Sequence, residues 1–482
     1  MENQSEKTLA PGAKRERLGS RLGFILLSAG CAIGVGNVWK FPYLAGQNGG
    51  GLFVLFYFIF LIIMGIPVMT MEFSLGRASQ KSPTAMYKAL EKPGHKWHAH
   101  GYLALVGNYI LLMFYTCVAG WILFYFFQYL FGAFEGVADP ILPLPENTTS
   151  VFETAFGNML SNPYLMFGFT AINIVIAVVV CMFKMEKGLE RVTKIMMIAL
   201  LALIIVLVIN SFTLSGAGAG LEYYLVPNWD RVAESGGFLS IIINAMNQSF
   251  FTLSLGIGSM AIFGSFINKD RSLLGESVNI AVLDTFVAVA SGLIIFPAIF
   301  TFGINPTEGP SLLFVALPQV FANMPGGRIW GTLFFLFMSF AAISTVLAVF
   351  QNIVSCTQDL NKTTQKMKKW KISLISGAIL LVLSIPCILG FNVWKFSSPL
   401  GDIQGIEDYI VSNILLPVGS FIFVLFCNHK FGWGSDNFLL EANAGKGLKI
   451  KKWMVFYFKW ILPVILGIFI VISIINPFVK LV

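Results

Sequence analysis

Residues 29–42 read AGCAIGVGNVWKFP and lie in the middle of the first long apolar stretch of the chain. A membrane-spanning helix is expected to be evenly apolar, but this stretch contains three glycines, then Asn37 and Lys40. Glycine costs about 1 kcal/mol in a helix interior, and a buried asparagine needs hydrogen-bond or ion partners. The stretch therefore predicts a span that breaks between Gly34 and Gly36, where the freed backbone groups face a polar site inside the protein.

The composition places this stretch in a polytopic, all-α membrane protein. Of 482 residues, 56% are hydrophobic and only 12% are charged. Many apolar runs reach about 20 residues, which is enough to cross the hydrocarbon core of a bilayer. The net charge of +8 would fit a nucleic-acid partner, but the basic residues lie in short loops between apolar runs. The predicted partner is therefore the lipid bilayer, and no nucleic acid is expected.

Hydropathy predicts eleven spans after a polar, basic tail at residues 1–21. The predicted spans are 22–46, 50–76, 101–132, 163–183, 190–212, 237–267, 273–303, 328–357, 372–391, 405–427 and 452–478.

The distribution of positive charge predicts which ends of the spans face the cytoplasm. If the tail is inside, the inner segments hold 26 of the 32 Lys and Arg residues. This bias predicts a cytoplasmic N-terminus in a plasma (inner) membrane protein and, after eleven spans, an extracellular C-terminus.

A second span is interrupted in the same way as the first. Residues 249–258 read SFFTLSLGIG, in which polar Thr252 and Ser254 precede a Gly-Ile-Gly break. This span lies five spans after the first, and because five is odd the second half would be inverted relative to the first. Two glycine-interrupted spans at corresponding positions of inverted halves indicate a transporter binding site.

These two segments, GVGNVWKFPYLAGQNGGGLF at 34–53 and QSFFTLSLGIG at 248–258, resemble the neurotransmitter:sodium symporter family, and most of all its bacterial amino-acid transporters. The resemblance implies a five-plus-five inverted repeat with spans 1 and 6 unwound around one substrate and two sodium ions. The first repeat would cover 22–212 and the second 237–427, with 452–478 as an additional eleventh span.

The resemblance also implies two sodium sites built from oxygen atoms, which a hard cation prefers. The first would use the carbonyl of Ala32, the side chains of Asn37 and Asp284, and the carbonyl and hydroxyl of Thr252. The second would use the carbonyls of Gly30, Ile33 and Ala341 with the hydroxyls of Ser344 and Thr345. On its own, the Ser-Thr pair would more simply be explained by hydrogen bonds to its own helix.

Asp284 is the main departure from the family pattern, in which most relatives have asparagine. A carboxylate in the middle of a span is costly and functional by default. Many relatives balance the charge of the bound cations with chloride, and others with an acidic residue one turn later, where this chain has Ala288. Tyr57 and Gln248 match the chloride-binding pattern, but Ala288 lacks its hydroxyl. We therefore expect Asp284 to supply the negative charge and transport to be chloride-independent.

The resemblance places the substrate between spans 1, 3, 6 and 8. A free carboxylate is stabilised by the unpaired amides of a half-helix N-terminus, here those of Val35 and Gly36, and by the hydroxyl of Tyr115. Gly34 leaves room for that carboxylate, where monoamine-carrying relatives have aspartate. The side-chain pocket would be Leu111, Phe251, Ser254, Ile257, Thr345 and Val349, which predicts a neutral, hydrophobic amino acid and leaves aliphatic and aromatic substrates both open.

The resemblance also implies two gates, one on each side of the substrate site. The outer one would pair Lys40 with Asp408, with Phe251 and Tyr115 as the lid; because lysine lacks the bidentate fork of arginine, this latch is expected to be looser than in many relatives. The inner one would pair Arg15 with Asp359, although a basic residue at 15 is equally explained as a topology signal.

Two alternatives remain for the function. An enzyme is disfavoured because no phosphate-binding loop or nucleophile motif is present, and the His95, His98 and His100 series is better explained as a solvated loop than as a metal site. A sodium-dependent sensor, receptor or channel on the same fold is the other alternative. Only coupled transport would accumulate the substrate.

Overall fold

A computed structural model describes residues 18–137, 150–233, 235–304, 312–395 and 398–479. Over these residues the secondary structure is helical, with three isolated bridges and no β-strand. Nine of the described helices are long and apolar enough to cross a membrane. They are Gly51–Ser79, His98–Leu130, Pro163–Met182, Glu186–Ser211, Leu273–Thr301, Gly327–Asp359, Lys369–Gly390, Ile403–Asn428 and Lys452–Ile475, here called spans 2, 3, 4, 5, 7, 8, 9, 10 and 11.

Span 1 consists of two helices, Arg21–Ala32 and Gly36–Gln47, which meet at an angle of 55°. The first half ends because Ile33 adopts an extended conformation (φ −72°, ψ 102°). A side chain at Gly34 would require its neighbours to shift, because its Cβ would lie 2.3 Å from the Tyr115 hydroxyl oxygen. The predicted break is therefore confirmed, and close packing of the backbone against span 3 explains why glycine is needed.

Span 6 also consists of two helices, Phe238–Thr252 and Ser259–Gly264, separated by a non-helical segment. Gly256 (φ 95°) and Gly258 (φ 74°) have left-handed backbones, which favour glycine. A Cβ at Gly256 would also lie 2.1 Å from the carbonyl oxygen of Leu416 in span 10. The described residues thus contain nine continuous spans and the bent span 1, and the two short helices of span 6 lie within the bounds of the one remaining predicted span.

The interrupted halves lie at the centre of the molecule. The first half of span 1 packs against spans 5, 7 and 8, and span 8 packs along the length of span 3. Asn37, Thr252, Asp284 and Ser344 are all buried in this region. Because buried polar groups need partners, the breaks in spans 1 and 6 provide backbone amides and carbonyls in the same volume as these side chains.

Shorter helices connect the spans, at Pro83–Leu90, Val151–Ser161, Ala217–Leu225, Leu312–Ala322 and Ser435–Ala442. The last of these is anchored by an ion pair that the sequence did not suggest. The fully buried Arg77 side chain of span 2 lies 2.6 Å from the Glu441 carboxylate and donates to the carbonyl of Arg271 at 2.7 Å. The connection between spans 10 and 11 is thereby tied to span 2 and to the loop between spans 6 and 7.

Candidate functional site

The first predicted ion-binding group joins spans 1, 6 and 7. The amide Nδ2 of Asn37 donates to Thr252 Oγ1 at 2.9 Å and to Asp284 Oδ1 at 2.8 Å. Thr252 Oγ1 donates in turn to Asp284 Oδ2 at 2.9 Å. All three side chains are buried. The fold thus brings together residues that are far apart in the sequence, around a single buried carboxylate.

Tyr57 of span 2 completes the surroundings of this carboxylate, because its hydroxyl donates to Asp284 Oδ2 at 3.3 Å. Gln248, the other residue of the chloride pattern, donates from Nε2 to the carbonyl of Gly36 at 2.8 Å. The residue at 288 is alanine and provides no hydroxyl. The acidic side chain that faces Tyr57 is that of Asp284.

The second predicted ion-binding group lies where the break of span 1 meets span 8. Thr345 Oγ1 is within 3.4 Å of the carbonyl oxygens of Gly30 and Ala341 and 3.3 Å from that of Ile33. Ser344 Oγ lies 2.9 Å from the Ala341 carbonyl and 3.4 Å from that of Ile33. All five predicted residues therefore converge on one small volume.

Oxygen acceptors outnumber the available protons in this second group. A hydroxyl donates a single proton, but Thr345 Oγ1 also lies 3.4 Å from the Cys31 carbonyl, so four carbonyls approach one donor. A cluster of carbonyl and hydroxyl oxygens with too few protons suits a hard cation that binds oxygen. Hydrogen bonds within one helix do not account for it, since three of the carbonyls belong to span 1.

A small cavity with a volume of about 20 Å³ adjoins the second group at Thr345, and its lining includes Gly36 and Phe251, the chain neighbours of Asn37 and Thr252 in the first group. Its lining includes seven of the ten predicted substrate residues: Gly34, Gly36, Leu111, Tyr115, Phe251, Ser254 and Thr345. Ala32, a predicted sodium ligand, also lines it. The amide of Val35, predicted to bind the substrate carboxylate, here donates to the hydroxyl of Tyr115 at 2.8 Å, and Tyr115 itself lines the cavity.

Two predicted pocket residues, Ile257 and Val349, are buried but do not line the cavity. The carbonyl of Ile257 instead accepts from Asn108 Nδ2 at 2.9 Å and from Asn352 Nδ2 at 3.4 Å. Leu416 of span 10 lines the cavity in their place. Nothing in the local sequence around Leu416 indicates this role, because it depends on how closely spans 6 and 10 approach.

The non-helical part of span 6 is held by a carboxylate that the sequence analysis did not single out. Glu72 of span 2 is buried, and its Oε1 accepts the amide of Gly256 at 2.6 Å. A glutamate inside an apolar run is itself a signal of function or structure, so Glu72 could have been found by the reasoning applied to Asp284. Ser254, two residues before Gly256, has φ 51°, a left-handed backbone conformation that is uncommon for serine.

The pair Lys40 and Asp408 lies over one side of the cavity. Lys40 Nζ is 3.1 and 2.9 Å from the two carboxylate oxygens of Asp408 and 3.3 Å from Ser412 Oγ. The same nitrogen lies 4.0 Å from the centre of the Phe251 ring. The ammonium group therefore links an ion pair to the aromatic residue that lines the cavity.

Of the predicted inner pair, the structure describes Asp359, while Arg15 lies outside the described residues. Asp359 ends span 8, and its Oδ2 accepts the amide of Ser82 at 2.8 Å. A separate ion pair at the start of span 1 joins Arg21 to Glu276 of span 7 at 2.9 Å.

The histidine series differs from the expectation of a solvated loop. His98 and His100 begin span 3, and His100 is buried with its Nδ1 2.7 Å from the Tyr87 hydroxyl. The expectation is wrong for His100 because the helix Pro83–Leu90 folds back on the start of span 3. The part of the chain that the structure describes contains no cluster of three or more His, Cys, Asp or Glu side chains able to hold a metal.

Comparison with known proteins agrees with this architecture. A family profile, described as the sodium:neurotransmitter symporter family, matches residues 15–134 and 165–480. The chain belongs to this family. It is therefore a multi-pass membrane protein with the five-plus-five inverted-repeat fold of the family, and a transporter of its sodium-dependent kind.

Several family members are similar over nearly their whole length. The sodium-dependent transporter YhdH of Bacillus subtilis is 34% identical over 447 residues, which cover 92% of each chain. A sodium-dependent transporter of Haemophilus influenzae is 31% identical, covering 94% of this chain and 97% of its own. Among solved structures, MhsT in complex with L-phenylalanine aligns with a TM-score of 0.83 and 34% identity, covering 96% of this chain and 100% of MhsT.

Proposed function

We propose that this protein is a sodium-coupled symporter that imports a neutral, hydrophobic L-amino acid by alternating access. The observation that carries the proposal is the position of the small cavity. It is lined by the break of span 1, by Thr345 of the second oxygen-rich group, and by Gly36 and Phe251, whose chain neighbours Asn37 and Thr252 belong to the first group. The cavity must widen from about 20 Å³ to admit an amino acid, and ions bound in these groups and a substrate bound there would then stabilise one another.

Two sodium ions are proposed, one in each group. In the first, Ala32, Asn37, Thr252 and Asp284 are the ligands, and the substrate carboxylate completes the set. In the second, the ligands are Gly30, Ile33, Ala341, Ser344 and Thr345. Only the first ion would then contact the substrate directly, which makes its binding dependent on the substrate.

An amino acid is favoured over a monoamine by the space at Gly34. A Cβ at this position would lie 2.5 Å from Thr345 Oγ1 and 2.3 Å from the Tyr115 hydroxyl, so an aspartate side chain does not fit without rearrangement. A carboxylate bound by the amides of Val35 and Gly36 fits the chemistry of a helix N-terminus. The uncharged side chains of Leu111, Phe251 and Leu416 favour a hydrophobic substrate, and the L-phenylalanine bound by MhsT agrees with this class.

Transport is proposed to be independent of chloride. Asp284 accepts from Tyr57, Asn37 and Thr252, so its carboxylate provides the negative charge next to the first ion. Replacing external chloride by gluconate should leave the initial rate of uptake unchanged. Loss of uptake in gluconate would contradict this part of the proposal and leave the symport itself intact.

The arrangement of the chain in the membrane is part of the same proposal. Residues 22–212 and 237–427 form the two inverted repeats and 452–478 the additional span, with the N-terminus in the cytoplasm. Lys40 and Asp408 then close the outer side of the cavity, and Arg15 with Asp359 closes the inner side. The excess of basic residues in the segments on the N-terminal side supports this orientation.

Uptake into proteoliposomes tests the proposal against a sensor, receptor or channel on the same fold. Purified protein should accumulate labelled leucine or phenylalanine above the external concentration when an inward sodium gradient is present. Collapse of the gradient with a sodium ionophore should abolish accumulation of the substrate. Binding of the substrate should be retained, as measured by thermal stabilisation of the protein in sodium. Sodium-dependent binding without accumulation would instead indicate a sensor.

A further inference from the structure

A cluster of lysines lies at one membrane surface, where span 8 ends and span 9 begins. The connection contains five lysines in a stretch of ten residues, and the chain has no acidic residue between Asp359 and Asp402. The lysines are Lys362, Lys366, Lys368, Lys369 and Lys371. All but Lys369 have exposed side chains.

The connection between spans 4 and 5 is held against this cluster. Lys369 Nζ donates to the carbonyl of Phe183 at 3.0 Å, and Ser373 Oγ donates to that of Cys181 at 3.3 Å. The following residues include Lys184 and Lys187, both of them exposed. Two basic loops are thus brought together by hydrogen bonds to the end of span 4, which fixes their charges in one place.

Within the described residues, no acidic side chain forms an ion pair with Lys184, Lys368 or Lys371. Glu186 lies in the same connection but faces the start of span 1, since its Oε1 is 3.2 Å from the position of a Cβ on Gly19. These three lysines therefore carry positive charge that an anionic partner can neutralise.

The membrane-facing side below the lysines is apolar and has aromatic residues at its edge. Trp370 is 45% exposed and Phe183 is 58% exposed, and Lys371 Nζ lies 5.6 Å from the Trp370 ring. Further along the two spans, exposed aliphatic side chains continue this surface. They are Val175 and Val179 on span 4 and Leu374, Ile375, Ile379 and Val382 on span 9. Tryptophan at the boundary of such a surface is typical of the headgroup level of a bilayer.

We propose that this end of spans 4 and 9 is a binding site for an anionic phospholipid. Lys184, Lys368 and Lys371 neutralise its phosphate, and its acyl chains lie on the aliphatic side chains of the two spans. Clusters of basic residues immediately beside a span favour anionic lipids in this way. A zwitterionic phospholipid would contact the same apolar surface but would leave the lysines without a net counter-charge.

The matched control is a second lysine pair beside an exposed tryptophan. Lys451 and Lys452 precede Trp453, which is 68% exposed at the start of span 11. Changing Lys368→Gln with Lys371→Gln, or Lys451→Gln with Lys452→Gln, removes the same charge from the same membrane protein. Only the first pair adjoins the basic loop after span 4, so the comparison separates a defined site from general attraction to a basic surface.

The experiment measures stabilisation of the detergent-purified full chain by dioleoyl phosphatidylglycerol, dioleoyl phosphatidylcholine or inorganic phosphate. Phosphatidylglycerol should raise the apparent melting temperature more than phosphatidylcholine, and inorganic phosphate should not. The apparent Kd for phosphatidylglycerol should rise at least about tenfold in the Lys368/Lys371 variant and less than about twofold in the Lys451/Lys452 variant. Lipid adducts counted by native mass spectrometry should fall in parallel.

Three outcomes would overturn the proposal. The two phospholipids could stabilise the protein equally, the two lysine-pair variants could weaken phosphatidylglycerol binding equally, or inorganic phosphate could reproduce the stabilisation. Because all the exchanged lysines are exposed, both variants should keep the melting temperature of the unchanged protein in phosphatidylcholine. A shared loss of binding therefore cannot be attributed to misfolding.

Discussion

Asn37 Nδ2 lies 2.8 Å from Asp284 Oδ1 and 3.2 Å from the Asp284 carbonyl oxygen. One amide group thereby joins the second half of span 1 to both the side chain and the backbone of span 7. Thr252 Oγ1, also bonded to Asn37, adds span 6 to the same contact. The two interrupted spans thus meet at a single buried carboxylate, so the charge of Asp284 should affect ion binding, substrate binding and their coupling.

Asp284→Asn should lower uptake in chloride-free buffer at least about tenfold. The change keeps the size of the side chain but removes a negative charge beside a bound cation, where a pair at about 4 Å contributes several kcal/mol at the effective dielectric of proteins. Initial rates in proteoliposomes with gluconate provide the measurement.

Ser291→Ala is the control for this change, because the Ser291 hydroxyl only donates to Val287 in the same helix, at 2.8 Å. Adding Ala288→Ser to the Asp284→Asn variant supplies the missing hydroxyl and should restore uptake in chloride but not in gluconate. Full uptake by Asp284→Asn in gluconate would show that the charge is not needed.

Thr345→Val should raise the sodium concentration needed for half-maximal uptake at least about tenfold, because it removes an oxygen that a hard cation would bind. Sodium titrations of substrate-independent thermal stabilisation should show the same shift. Ser339→Ala in the same span is the control, since Ser339 only donates to the Phe335 carbonyl, at 2.7 Å. If Thr345→Val and Ser339→Ala behave alike, the cluster around Thr345 is not an ion site.

Gly34→Ala should abolish substrate binding while the protein remains folded in the membrane. The added Cβ would lie 2.3 Å from the Tyr115 hydroxyl and 2.5 Å from Thr345 Oγ1, which forces both groups out of the cavity. Scintillation proximity binding of labelled leucine or phenylalanine is the measurement. Gly168→Ala on span 4 is the matched control, because a Cβ there meets nothing within 4 Å. Unchanged binding by Gly34→Ala would exclude the proposed position of the carboxylate.

Lys40→Met should increase the dissociation rate of bound substrate at least about fivefold, because it removes both the ion pair with Asp408 and the contact with the Phe251 ring. Lys40→Arg should retain slow dissociation. Arg328→Gln, which breaks the exposed pair with Glu135, should not change the rate. An unchanged rate in Lys40→Met would mean that this pair does not close the cavity.

Glu441→Gln should destabilise the folded protein strongly without changing its sodium or substrate affinity. It leaves the Arg77 guanidinium, whose side chain is 0% exposed, without its charged partner, and breaking a buried pair in this way typically costs about 3–5 kcal/mol. The apparent melting temperature in detergent is the measurement. Glu135→Gln breaks an exposed pair, in which Glu135 is 62% exposed, and should lower the melting temperature little. Equal effects of the two changes would contradict a structural role for the buried pair.

The membrane class, the eleven spans and the two breaks were readable from the sequence, because each depends on local chemistry. Long apolar runs indicate spans directly, and the glycines beside Asn37 and shortly after Thr252 indicate places where a regular helix is disfavoured. The unusual aspartate at 284 was visible for the same reason, since a carboxylate within an apolar run is costly to bury and therefore indicates a functional site.

Other features depended on which spans approach one another, and only the tertiary structure decided them. Leu416 lines the cavity because Gly256 allows spans 6 and 10 to come close, while Ile257, which the pattern placed in the pocket, has its carbonyl bonded to Asn108 and Asn352. Arg77 and Glu441 are 364 residues apart in the chain. Apolar periodicity predicts that a segment crosses the membrane, but contacts between spans come from packing and hydrogen bonding across the bundle, which no single segment encodes.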